Sequence, residues 1–356
     1  MFINFFNLFE TMISIIGAGP VGNYLGYLLS KNGQDVRIYE EHGVIGKPVH
    51  CTGIVTGALN DVIKINGDFV INRVNRVVIK GDGEVELKIK ENLILDRERF
   101  DKHLFEMAKE NGVKFSLGKS FKGFEDGIMK IDDESVKTDV LIGADGALSK
   151  VAKSVFGFDR QYMLGFQARV KGEFDRNLVE VYLNYGSFLW VVPESERIAR
   201  IGIVDKKEVK SVLSKFLNDK EVIEWQGGLI PIFNPKFKLQ KENAYLVGDA
   251  GGMVKALSHG GIVQGLIGAQ ELSKSILNNE DYEKLWRGKL EKDLVLSLKL
   301  RKILDKFNKN DYGKLIELCK NEKVREMLEN RDYVSKYFWR LIIKEPRFLR
   351  FLVKVI

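Results

Sequence analysis

The chain has 356 residues, enough for roughly two or three ordinary domains or one large discontinuous one. With 45% hydrophobic and 29% charged residues it reads as globular with a sizeable core, and no apolar run of about eighteen residues predicts a membrane-spanning helix. Two cysteines, Cys51 and Cys319, exclude a disulfide framework and suit a reducing cytoplasm, while the net charge of +7 comes with no nucleic-acid-binding module.

Residues 1–10, MFINFFNLFE, are apolar but have neither the basic start nor the cleavage site of a signal peptide. They read as sequence upstream of a true start at Met12. From there the chain runs MISIIGAGPVGNYLGYLLSKNGQDVRIYEE. The apolar run Ile13 to Ile16 predicts a buried parallel strand, and Gly17, Gly19 and Gly22 form a GxGxxG turn into a helix. Gly17 permits the tight turn, Gly19 lets the backbone approach a pyrophosphate, and Gly22 brings helix and strand together. Free amides at the helix N-terminus suit phosphate. A second strand, Asp35 to Tyr39, ends at Glu40, placed to accept hydrogen bonds from both ribose hydroxyls of a dinucleotide without a 2′-phosphate.

Two later segments repeat the pattern of an apolar strand ending in an acid. DVLIGADG ends at Asp145 and YLVGDAGG at Asp249, the latter followed by a glycine-rich turn and a long helical stretch from Gly260 to Leu277. Each aspartate can accept from ribityl or ribose hydroxyls. Three such strand ends, far apart in sequence, fit one cofactor lying extended across a sheet. A two-domain NAD dehydrogenase has no need of the last.

The order GxGxxG…E, GADG, GDA resembles the FAD superfamily that includes p-hydroxybenzoate hydroxylase and the geranylgeranyl reductases. The resemblance implies FAD, and an arginine near it at the start of the helix opening LDRERFD, at Arg99 with Arg97 as the neighbouring choice. Pro48-Val-His-Cys51-Thr-Gly53 is similar to the P-x-x-C-x-G motif of the geranylgeranyl reductase family, which places Cys51 beside the flavin and the reacting double bond. The family's P-x-x-Y-x-W-x-F-P segment is matched at Trp190 and Pro193, while Tyr185, Phe188 and Val192 depart from it. Phe188 has no hydroxyl, so it cannot donate a proton; with Trp190 it alternates onto one face of a strand and suits a pocket wall. Flavin halogenases carry W-x-W-x-I-P in a comparable place. After Asp249, Gly261 and Ile262 would bring backbone amides to the flavin, and His259 would anchor flavin or substrate.

The implied activity is saturation of carbon–carbon double bonds in isoprenoid (geranylgeranyl) chains, in free diphosphates or archaeal-type ether lipids. The resemblance implies hydride transfer from reduced FAD to one alkene carbon, a proton to the other, and an electron donor of the NADPH or ferredoxin kind. The candidate catalytic residues are Cys51, Trp190, Phe188 and His259. The cofactor set is Gly17, Gly19, Gly22, Glu40, Cys51, Arg99, Asp145, Asp249, Gly261 and Ile262, with no metal. A flavin monooxygenase or halogenase, and a non-catalytic lipid- or quinone-binding flavoprotein, are the alternatives.

The expected fold class is α/β. A discontinuous Rossmann-like FAD-binding domain takes residues 12–64, 94–160 and 240–285. An antiparallel β-sheet substrate domain takes 65–93 and 161–239, including a hairpin at Gly81-Asp-Gly83, and a helical region takes 286–356. From Arg331 onward seven Lys/Arg stand against two Asp/Glu, interleaved with aromatic and aliphatic residues. That pattern suits a helix on an anionic membrane surface, giving a cytoplasmic protein peripheral to the membrane.

Overall fold

The computed structural model describes residues 11–65, 67–329 and 334–352. The expectation for residues 1–10 and the charges of Arg331 and Lys354 lie outside the described residues.

The apolar run after Thr11 forms the strand Met12–Ile16, which pairs in parallel with Asp35–Glu40 and Val140–Gly143. Ile13 and Ile15 are fully buried, as an interior parallel strand requires. Lys114–Leu117 and Ala244–Leu246 extend this sheet on either side, and Gln240–Lys241 closes one edge in the antiparallel sense. The helix Pro20–Ser30 starts with proline in its first turn, where the missing N–H costs nothing, and buries Tyr24, Leu25 and Leu29. It packs against the helices Arg97–Glu110 and Ile262–Asn278. Gly17, Glu40, Asp145 and Asp249 lie at or just beyond the C-terminal ends of parallel strands, the edge at which such sheets bind ligands.

An eight-stranded sheet stands against this unit. Its order is Val222–Pro231, Tyr162–Lys171, Ile198–Asp205, Phe188–Pro193, Leu178–Tyr182, Val70–Gly81, Gly83–Leu95 and Ile54–Thr56. Pairing is antiparallel except between Leu178–Tyr182 and Val70–Gly81, so the sheet is mixed rather than wholly antiparallel. The hairpin turns at Asp82, with Gly83 at φ +104°. Ile54–Thr56, within the segment expected to serve the cofactor domain, pairs instead with Gly83–Leu95 and ties the Cys51 loop to the large sheet.

One face of the large sheet buries Leu189, Val191, Ile201 and Ile203 against the helix Val209–Leu217. The other faces the C-terminal helices Lys292–Leu304, Lys309–Cys319, Glu322–Glu329 and Val334–Lys344. Among the described residues no helix is long and apolar enough to cross a membrane.

Candidate active site

Gly17 adopts φ +103°, and a Cβ there would lie 2.5 Å from the carbonyl oxygen of Ala144, so only glycine fits between the first and third strand ends. A Cβ on Gly22 would lie 2.0 Å from Gly17 O, which brings the helix against the turn. Gly19 is different. Nothing lies within 4 Å of its Cβ position, and it caps the helix at the open crevice. That open cradle and the helix N-terminus behind it fit a pyrophosphate.

Glu40 Oε2 accepts from Ala18 N at 2.8 Å, and Oε1 accepts from His42 N at 2.9 Å and meets His42 Nδ1 at 2.7 Å. The carboxylate is thus held at the crevice with acceptor capacity left on Oε2. Asp145 accepts from Ser149 Oγ at 2.5 Å and Val151 N at 3.1 Å, so it fixes the start of the helix Lys150–Ser154 as well as lining the crevice. Burial raises its pKa against the pull of these donors.

Asp249 lines the same crevice, but among the described residues no donor bonds its carboxylate. Burial pushes its pKa up, opposed by the charges of Arg97 and Arg160. Arg160 in turn donates to the main-chain carbonyls of Asp249 (2.9 Å) and Ala250. A Cβ on Gly261 would sit 2.7 Å from Asp249 Oδ1, so glycine is what allows the helix Ile262–Asn278 to begin beside that carboxylate. Gly261 and Ile262 line the crevice with that helix N-terminus behind them.

Cys51 lies on the loop between the two sheets. Its Sγ accepts from Gly53 N at 3.3 Å, and the neighbouring His50 Nδ1 lies 2.5 Å from Gly227 O. Arg97 sits beside it. Burial works against the guanidinium charge, but Asp101, bonded at 3.1 and 3.0 Å, and then Cys51 outweigh it and hold the arginine pKa above its usual value. Arg97 and Asp101 both line the crevice. Arg99, the residue expected there, has a side chain 66% exposed, which bonds Asp68 O at 3.3 Å outside the crevice.

Phe188, Trp190 and His259 come together. The Phe188 ring stacks on His259 at 5.7 Å and lies 5.8 Å from Trp190. His259 faces Ser187 Oγ at 3.2 Å, and burial, then the charge of Arg301, lower its pKa to about 4. The imidazole is therefore neutral at pH 7. The Trp190 indole N–H is buried without a partner among the described residues.

From Trp190 the wall continues across the large sheet through the cross-strand partners Val181, Ile79 and Val85. Three strand spacings make this row about 14 Å long. Opposite stand side chains of the C-terminal helices, among them Ile303, Ile316, Cys319, Phe338 and Leu341. Crevice and tunnel form one cavity of about 1430 Å³, larger than the ~300–1,000 Å³ of an ordinary single-ligand pocket. Nothing in the sequence signals that the charged C-terminal helices supply this wall. Nor does it signal that Arg97, the neighbouring choice to Arg99, is the arginine turned to the crevice, or that Asp101 is its partner.

The residues fit FAD: an open glycine cradle at a helix N-terminus, a pinned acceptor in Glu40, an unpartnered carboxylate in Asp249, and a second helix N-terminus at Gly261. Residues 15–57 match the NAD(P)-binding Rossmann-like domain, the turn that NAD and FAD proteins share. Digeranylgeranylglycerophospholipid reductase of Methanocaldococcus jannaschii is 27% identical, over 95% of this chain and 96% of that protein. The chain is similar to these reductases along almost its whole length. Among solved structures, a geranylgeranyl bacteriochlorophyll reductase-like protein of Thermoplasma acidophilum superposes with TM-score 0.80 at 22% identity, covering 93% of this chain and all (100%) of that one. A flavin-dependent brominase shares the fold at TM-score 0.70 and 17% identity, covering 94% and 99%.

Proposed function

We propose that this protein is an FAD-dependent reductase that saturates carbon–carbon double bonds in the isoprenoid chains of glycerophospholipids. The observation that carries the reading is the continuity of the cavity. A polar crevice fitted to FAD opens directly into a long apolar tunnel at Cys51, Phe188, Trp190 and His259. The digeranylgeranylglycerophospholipid reductases to which the chain is similar support the same reading.

An isolated alkene has no carbonyl for the protein to polarise, so catalysis must come from position and from dryness. Bound in the crevice, reduced FAD supplies a hydride. The wall of Phe188, Trp190, Val181 and Ile79 orients the chain and excludes water. The second alkene carbon requires a proton, for which Cys51 Sγ is the donor in this reading. Phe188 has no hydroxyl, and a neutral His259 holds no spare proton at pH 7. His259 instead fixes Phe188 by stacking and faces Ser187 Oγ at the same place. Arg97 holds Cys51 and the crevice wall in register. Two electrons leave per bond saturated, so an external donor of the nicotinamide or iron–sulfur kind must restore them.

Lipids of this kind reside in a membrane, and we place the enzyme at the cytoplasmic membrane surface as a peripheral protein. The test is mass spectrometry after anaerobic incubation of chemically reduced protein with geranylgeranyl diphosphate and with a geranylgeranylated glycerophospholipid. Each saturated bond adds about two mass units, and the flavin reoxidises in step. A protein that binds and reduces FAD yet leaves both substrates unchanged is not this reductase; substrate-dependent oxygen consumption would then indicate monooxygenase or halogenase chemistry.

A further inference from the structure

The helix Val334–Lys344 and the turn through Leu352 present two different faces. Phe338, Leu341, Ile342, Phe348 and Phe351 point inward and line the tunnel. Trp339, Ile343 and Leu349 point outward, with relative exposures of 61%, 75% and 47%. A helix apolar on both sides belongs between two apolar phases, and nothing in the described structure covers the outer one. The same outer face carries Arg340, Lys344, Arg347 and Arg350, all exposed. Arg347 is neutralised by Glu345, bonded twice at 2.6 Å. Arg340 and Lys344 have no carboxylate partner among the described residues, and Arg350 bonds only the Arg347 carbonyl, at 3.0 Å.

We infer that this outer face docks on an anionic lipid bilayer, with Trp339, Ile343 and Leu349 inserted at the headgroup boundary and Arg340, Lys344 and Arg350 on lipid phosphates. Amphipathic, aromatic and cationic character together fit that surface, whereas a protein partner would leave the three cations Arg340, Lys344 and Arg350 to be matched. The single helix Val334–Lys344, with side chains on both faces, separates the bilayer contact from the tunnel. A lipid tail that leaves the membrane here travels only the thickness of a helix to enter the cavity. The purpose of the surface rests on the reductase reading; its binding to membranes does not.

The experiment is co-sedimentation of the FAD-loaded full-length protein with vesicles of saturated-chain phosphatidylglycerol or phosphatidylcholine, which hold no bond to reduce. Binding to phosphatidylglycerol is expected to exceed binding to phosphatidylcholine and to weaken in high salt. Each of Arg340→Gln and Lys344→Gln lowers affinity about fivefold. The double variant Trp339→Ser/Ile343→Ser lowers it about tenfold or more. Flavin content and turnover of free geranylgeranyl diphosphate stay at the parent level, since none of these side chains lines the cavity. Parent protein that ignores anionic vesicles, or variants that bind as the parent does, overturns the inference. So does a dimer of the parent that the double variant abolishes while vesicle binding persists. If the vesicles bind as expected but no lipid is reduced in the mass-spectrometric assay, the docking surface stands and the reductase reading falls.

Discussion

Trp190 lies flat against its cross-strand partner Gly202: a Cβ built on that glycine would sit 2.3 Å from Cζ2 of the indole and 2.6 Å from Cβ of Gln167. The position of the tunnel wall therefore depends on a residue that never reaches the tunnel. Gly202→Ala should cost about 1–3 kcal/mol by overpacking and lower turnover on long-chain substrate, with flavin content unchanged. Combining it with Trp190→Leu should recover the melting temperature but not the turnover. A Gly202→Ala protein with parent stability and activity would show that the indole is free to move.

Arg97 and Asp101 form an ion pair with side-chain exposures of 13% and 9% at the crevice. Arg97→Met leaves the carboxylate buried alone, a change that typically costs about 3–5 kcal/mol. Arg97→Met/Asp101→Leu should regain much of that stability. If Arg97 serves the cofactor side of the site and not only the fold, the double variant remains poor in FAD, read from the flavin absorbance of purified protein. Full FAD occupancy in the double variant would reduce the pair to a structural role.

Asp249 gives a prediction with opposite signs in the two states. Its pKa is raised by burial, so ionising this carboxyl opposes folding of the apo-protein, and stability is lost as pH rises through the folded pKa. At pH 7 Asp249→Asn should therefore raise the melting temperature of apo-protein. It should weaken FAD binding by about 10- to 100-fold, the value of a hydrogen bond to a charged group. Calorimetry of the apo form and flavin titration read the two effects separately.

His259 is depressed from 6.5 to about 4 by burial and then by Arg301. The unfolded chain binds the extra proton between these values, so stability is present above pH 6.5 and lost as pH falls toward 4. The full effect is about 3 kcal/mol at 1.36 kcal/mol per pH unit. His259→Asn, which tolerates the φ of +54°, should flatten acid denaturation across that window. Turnover of the parent should show no break near pH 6.5 from this group.

The two thiols should also part company. Burial pushes Cys319 up to about 12, so iodoacetamide at pH 8 is expected to spare it and to modify Cys51, with FAD slowing the reaction. Proton delivery by a positioned group is typically worth about 10²–10⁴-fold, and Cys51→Ala should lose turnover on that scale while keeping FAD. Unchanged turnover would take Cys51 out of the chemistry.

The dinucleotide turn was legible in the sequence because Gly17 and Gly22 sit where a side chain would clash with backbone. Gly17 is forced by its φ and by Ala144 O, and Glu40 ends the second strand, where its carboxylate accepts from Ala18 N. Phe188 and Trp190 were readable as one face because strand alternation fixes it. The arginine was not. Arg97 and Arg99 stand two residues apart, so they project about 200° apart around the helix. Asp96 capping Arg99 N sets which one turns inward, and the motif alone carries no rotation angle. The tunnel wall was illegible for another reason. Ile303, Ile316 and Phe338 recur as core residues do, and periodicity cannot distinguish side chains that meet other side chains from side chains that surround a void.

That void has a thermodynamic consequence. The C-terminal helices and the sheet they face enclose an apolar cavity, and each methylene that enters such a space gains about 0.8 kcal/mol. A ligand tail would act here as a non-covalent piece of the hydrophobic core. The melting temperature should then climb with the length of the alkyl or prenyl chain supplied and level off where the tunnel ends, so a thermal-shift series would measure the tunnel as a ruler does.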